Sequence, residues 1–242
     1  MDAATPAAPT SPTPSTRTAL LLSCALIVAF WIAFAAWKLT RSGGHPVPDD
    51  IFALFVRKAA EAAVLALVVG LLLRASHESF ADLGVSARHL GRSVLEGLGW
   101  AALLFVVINV VLNPLVGSLV GGAVDARTRH MFQDYGEAPW WVLTAIVGGG
   151  FAEELLRAFV LTRFDRLLGR AGLVAAVVVD SAVFGLGHLY QGPSGAVSAG
   201  ITGVLFALIF LRRRRATDSM AAHALFDLMG IAVAYALYGP RA

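Results

Sequence analysis

The chain has 242 residues, of which 57% are hydrophobic and only 14% charged, with a mean hydropathy of +0.73. That composition excludes a soluble globular domain and places the chain in the polytopic membrane class. Its single cysteine, Cys24, excludes an intrachain disulfide and a cysteine-rich metal site. The formal net charge of +3 carries no nucleic-acid signature, because the basic residues gather at the ends of apolar runs.

Residues 1–18 are rich in Pro, Thr and Ala without apolar periodicity, which predicts a disordered cytoplasmic tail. Residues 19–242 show no internal repeat and read as one transmembrane helical domain. A helical crossing needs ~20 apolar residues. On that ruler seven spans follow, at about 19–37, 52–73, 96–118, 139–162, 172–190, 195–211 and 218–238. The expected fold is all-α, a polytopic transmembrane helical bundle. The second span carries Arg57, Lys58 and Glu61 in its first turns, which must snorkel or pair.

The loops indicate orientation. Arg74, Arg88 and Arg92 separate spans two and three; Arg163, Arg166 and Arg170 separate four and five; Arg212 to Arg215 follow span six. The opposite loops hold only Lys38 and Arg41, then Arg127 and Arg129. The positive-inside rule then predicts a multi-pass cell-membrane protein with a cytoplasmic N-terminus and an outside C-terminus.

Three of these spans each supply one polar cluster, and ionisable groups within a bilayer are costly and usually face a protein interior where they act. Span four has Gly148-Gly149-Gly150 followed by Glu153, Glu154 and Arg157. The glycines permit close helix approach, and either glutamate can pair with Arg157 along the helix. A structural ion pair accounts for one glutamate and leaves the other over. Span five has Asp180, Phe184 and His188 on one face, and span seven has His223 and Asp227 one turn apart. Each pair alone is as consistent with packing as with chemistry. Together they form an ordered set on three helices.

This set resembles the three motifs of the CAAX protease and bacteriocin-processing family, also called Abi membrane proteins. Those motifs are Glu-Glu-x-x-x-Arg, Phe-x-x-x-His and His-x-x-x-Asn or a similar residue, and the resemblance covers about 139–238. It implies an intramembrane endopeptidase of helical fold that cleaves near the C-terminus or membrane-proximal part of a peptide or membrane-protein substrate. By resemblance, Glu153 and His188 activate a water, His223 with Asp227 stabilises the oxyanion, and Glu154 pairs with Arg157. Asp180 is a supporting residue, beside His188 or lining a wet cavity. Two departures stand out. Arg157 comes one residue early, so alignment on the arginine would put Ala152 at the catalytic position. Asp227 replaces Asn, and an ionised carboxylate would repel an oxyanion.

No cofactor is favoured, because a carboxylate and an imidazole can activate water as general bases. The set His188, His223 and Asp227 also matches a zinc site with an open position, and the family has been discussed in both terms. Gly192-Pro193-Ser194-Gly195 superficially resembles a rhomboid serine motif, but it reads as a turn and leaves both glutamates and His188 unexplained. A catalytically inactive scaffold, or an ion or proton pathway, is the alternative that the early Arg157 keeps open. One geometric demand follows. His223 lies roughly 7 Å into span seven from the cytoplasmic side, and His188 near the outer end of span five. They meet only if span five tilts, starts deeper or runs longer, with a cavity open to the cytoplasmic side.

Overall fold

The computed structural model describes residues 14–40, 50–120 and 131–240. All regular structure among them is helical. α1 spans Pro14–Thr40 and α2 Ile51–Ala75. α3 spans Leu90–Val106 and passes through a π-helical stretch, Val107–Leu112, into α4, Asn113–Val120. α5, Ala138–Thr144, passes through a second π-helical stretch, Ala145–Glu153, into α6, Glu154–Gly187. α7 spans Gly192–Arg213 and α8 Ala216–Tyr238. Of the expected tail, residues 1–13 lie outside the described residues, as do Arg41, Arg127 and Arg129; residues 14–18 already belong to α1.

Among the described residues, five stretches are long and apolar enough to cross a membrane: Arg17–Thr40, Ala87–Val120, Tyr135–Gly187, Leu189–Arg213 and Ala216–Tyr238. This differs from seven for two physical reasons. α2 gathers Arg57, Lys58 and Glu61 in one half, where Glu61 pairs with Lys58 at 3.1 Å and Arg57 at 3.7 Å. The stretch Tyr135–Gly187 is 53 residues long, and no loop divides it. Its break is Gly169 alone, at φ 63°, ψ −153°, a left-handed φ that glycine adopts without steric cost.

The first half of α6 is the centre of the bundle. Leu155, Ala158, Phe159, Val160 and Leu161 are all essentially inaccessible, so this helix is enclosed on every face. Cys24, Ile27 and Trp31 of α1, Val69 and Leu73 of α2 and Phe210 of α7 pack around it. Trp31 stacks on Phe164 at 5.4 Å. Small residues set two close approaches: Gly97 of α3 lies against Ala221 and Ala222, and Gly185 of α6 against Ala196 and Gly200 of α7. The outer surface is the reverse of a soluble protein's, with Leu119 75%, Leu95 71% and Val110 67% exposed. Such a belt suits lipid and not water.

The base of α8 is clamped from the connection before α3. Thr217 Oγ1 donates to the Gly84 carbonyl at 2.9 Å and accepts from the Ser86 amide at 2.9 Å. Ser93 Oγ donates to Asp218 Oδ1 at 2.6 Å. These bonds fix the height of α8, and so of the histidine two turns along it.

Candidate active site

The site begins with three glycines. The π-helical stretch Ala145–Glu153 ends at the first glutamate, and wide turns of this kind are common at functional sites. A methyl on Gly149 would collide with Asp227 Oδ2 and lie 3.3 Å from His223 Nε2. One on Gly150 would lie 2.7 Å from Ala224 Cβ and 3.1 Å from the Met220 carbonyl. The missing side chains therefore let α8 press its polar face against this turn.

The two glutamates then diverge. Glu154 is fully buried, and one of its oxygens, Oε1, accepts from Arg157 and from His223 Nδ1–H, the latter at 2.9 Å. Arg157 Nε lies 3.5 Å from Asp180 Oδ2. The Arg157 guanidinium sits 4.9 Å over the Phe184 ring and 5.9 Å from that of Phe206. Asp180 thus serves as counter-ion to Arg157, not as a partner of His188. Arg157, despite its early position, reaches the second glutamate because residues three apart share a helix face as residues four apart do.

Glu153 faces the other side of the same imidazole. His223 Nε2 lies 3.8 Å from Glu153 Oε2 and 3.7 Å from Asp227 Oδ2. Both carboxylates are about one-third exposed while His223 is buried. The hydrogen bond that orients His223 therefore comes from Glu154 on another helix, and Asp227 meets the opposite nitrogen. Phe206 of α7 stacks on His223 at 4.2 Å and 17°, fixing the ring plane. Sequence reasoning missed Phe206, which is one aromatic among many apolar residues of its span.

His188 closes α6. Its Nδ1–H donates to the Phe184 carbonyl at 2.9 Å, which leaves Nε2 with a free lone pair. The Phe184 ring lies 4.6 Å from the His188 ring and 6.0 Å from that of His223, so it neighbours both histidines. Lys38 of α1 donates to the Gly187 carbonyl at 3.1 Å, steadying the helix end that carries His188.

The hairpin in α6 accounts for the common depth. Helix continues to Gly169, well beyond the expected end of span four, so span five starts deeper on that side. Arg157 stands level with Asp180. From Asp180 to His188 is eight residues, about 12 Å. Eight residues back from Arg157 is Gly149, which lies against His223 and Asp227. The three motifs share one level.

Among the described residues, no group of three or more His, Cys, Asp or Glu side chains is arranged to hold a metal ion. Residues 135–229 match the family model described as Rce1-like: Type II CAAX prenyl endopeptidase Rce1-like. The matched segment contains Glu153, Glu154, Arg157, Asp180, His188, His223 and Asp227 and leaves out α1 to α4, Lys38 with them. No curated protein and no solved structure matches the chain.

Proposed function

We propose that this chain, a member of the CAAX protease and bacteriocin-processing family over residues 135–229, is an intramembrane endopeptidase in which Glu153 is the general base. One observation carries the reading: Glu154 holds His223 by Nδ1, so that Nε2 points to where Glu153 and Asp227 converge. A merely structural ion pair would consume Glu154 and Arg157 and would leave Glu153 without a task.

The proposed reaction runs as follows. A water held between Glu153 and His188 Nε2 gives a proton to Glu153 while its oxygen attacks the scissile carbonyl carbon. The carbonyl π pair moves onto oxygen, and the oxyanion accepts a hydrogen bond from Nε2–H of His223, whose second proton the carboxylates of Glu153, Glu154 and Asp227 would hold in place. Glu154 and Arg157 keep that imidazole oriented. In the resting site Asp227 Oδ2 lies 3.7 Å from Nε2 as a counter-charge, and the oxyanion takes the Nε2–H. When the intermediate collapses, the C–N bond breaks and the amine leaves with the proton from Glu153. No step uses a metal; zinc on His188, His223 and Asp227 is the competing reading.

The substrate is a peptide or membrane-protein segment cut near its C-terminus or close to the membrane. Counting α2 as a crossing, and each side of Gly169 as one, makes seven spans. The N-terminus is then cytoplasmic, the C-terminus outside, and the site opens toward the cytoplasm. Released peptides compared between wild-type and Glu153→Ala cells should identify products absent from the variant. The purified protein should generate the same cut, and His188→Ala should abolish it. Full activity in either variant would overturn the mechanism.

A further inference from the structure

On the flank of the bundle, away from this site, α3 and α7 leave a groove. Its mouth is a hollow of about 430 Å³ lined by Glu96, Gly99, Trp100, Leu103 and Arg212. It continues into a cleft of about 180 Å³ between Trp100, Leu104, Leu205, Leu208, Ile209 and Arg212. Trp100 and Arg212 line both parts, with the guanidinium 5.5 Å over the indole. From these two residues the cleft runs inward along both helices, away from the charged end of α7.

The charges at the mouth do not balance. Glu96 is held between Arg92 and Arg213. Arg214 pairs with Asp165 at 2.8 Å, and Arg215 lies 3.7 Å from Asp218. Among the described residues Arg212 has no carboxylate partner. The groove therefore offers one uncompensated guanidinium, an indole of the type found at membrane interfaces, and an apolar cleft beneath them.

We propose that this groove binds one anionic phospholipid, its phosphate on Arg212 beside Trp100 and an acyl chain in the cleft against Leu104, Leu205 and Leu208. Arginine suits phosphate through its planar fork of donors. A zwitterionic lipid carries the same phosphate together with an ammonium that Arg212 repels, which makes net charge the discriminating feature. The site is independent of peptide hydrolysis.

The test uses the full-length protein, purified in detergent and delipidated. Phosphatidylglycerol or phosphatidylcholine with brominated acyl chains is titrated in, and tryptophan quenching is recorded. Half-quenching is expected at several-fold to about tenfold lower phosphatidylglycerol, the scale of one basic residue's attraction to net anionic lipid. Arg212→Gln should bring the two curves together, and Trp100→Phe should remove the part of the quenching that differs between the lipids. Coincident curves with the wild-type protein would overturn the proposal, and so would a difference that survives either substitution. The wild-type comparison decides the matter even if a variant does not fold.

Discussion

Glu154 of α6 accepts the Nδ1–H of His223 at 2.9 Å, while Asp227, one turn along from His223 on α8, meets only the opposite nitrogen. In the proposed mechanism the two glutamates, adjacent in the chain, have separable tasks: Glu154 belongs to the scaffold of the imidazole and Glu153 to the reacting space.

Substitutions should divide accordingly. Glu154→Ala leaves Arg157 without its nearest counter-ion in a fully buried position, and breaking such a pair costs about 3–5 kcal/mol. Glu153→Gln removes no buried pair. Thermal unfolding in detergent should thus show a large loss for Glu154→Ala and little change for Glu153→Gln. Peptide cleavage should fall at least ~100-fold in Glu153→Gln, the usual contribution of a general base.

Asp227 stands where the family pattern has an amide. If it serves only as a counter-charge to His223 in the resting site, Asp227→Asn should retain activity or exceed wild type, since an amide donates to an oxyanion and does not repel it. Asp227→Ala should lose activity. Cleavage rates of the two variants, measured side by side, check this. An inactive Asp227→Asn beside an active Asp227→Ala would reverse the assignment.

Gly149→Ala should damage the site through space alone. Its methyl meets Asp227 Oδ2 and His223 Nε2, and it must push α8 away or turn the carboxylate. Overpacking of this kind costs roughly 1–3 kcal/mol. Cleavage should fall by more than the unfolding temperature suggests. Gly148→Ala, whose methyl would meet only the Lys58 side chain at ordinary contact distance, is the matched control.

Lys38 acts on His188 from outside the matched segment, through the Gly187 carbonyl. Lys38→Met keeps the length and removes the donor. Turnover should drop between several-fold and about a hundredfold, the range for a slightly displaced catalytic group, with KM little changed. Lys38→Arg should restore part of it. Equal losses in both variants would point to packing of α1 instead.

Chelation separates the two chemical readings. A reaction run by Glu153 and His188 alone should survive exhaustive chelation. A zinc-dependent one should stop and recover on adding zinc or cobalt, because the ion supplies the activated water itself. Activity with and without chelator, together with the zinc content of the purified protein, is the measurement.

The polar residues of the site were legible because charge within an apolar run is conspicuous at any resolution of reading. Glu153, Glu154, Arg157, His188, His223 and Asp227 all stood out, and the structure brings their three helices together at one level. Partnerships were less legible. The four-residue spacing of His223 and Asp227 favours contact along one helix, whereas the bond that orients the ring crosses to Glu154. Arg163 and Arg166 marked a loop in the sequence, yet both sit in continuous helix and pair with Glu78. Glu78 is far away in the chain, and nothing local announces it. Phe206 and Lys38 were missed for the same reason, since each acts only through a neighbour that the fold supplies.

The three-residue step from Glu154 to Arg157 has a consequence for recognising relatives. What the site requires of that arginine is that it lie on the buried face of the helix, between Phe184 and Phe206 and within reach of Asp180. Spacings of three and four both bring the arginine within reach of the second glutamate, so a filter that counts intervening residues would discard chains in which that pair is made. A filter on helical phase, asking which direction each charge points once the glycine turn is in place, would keep them.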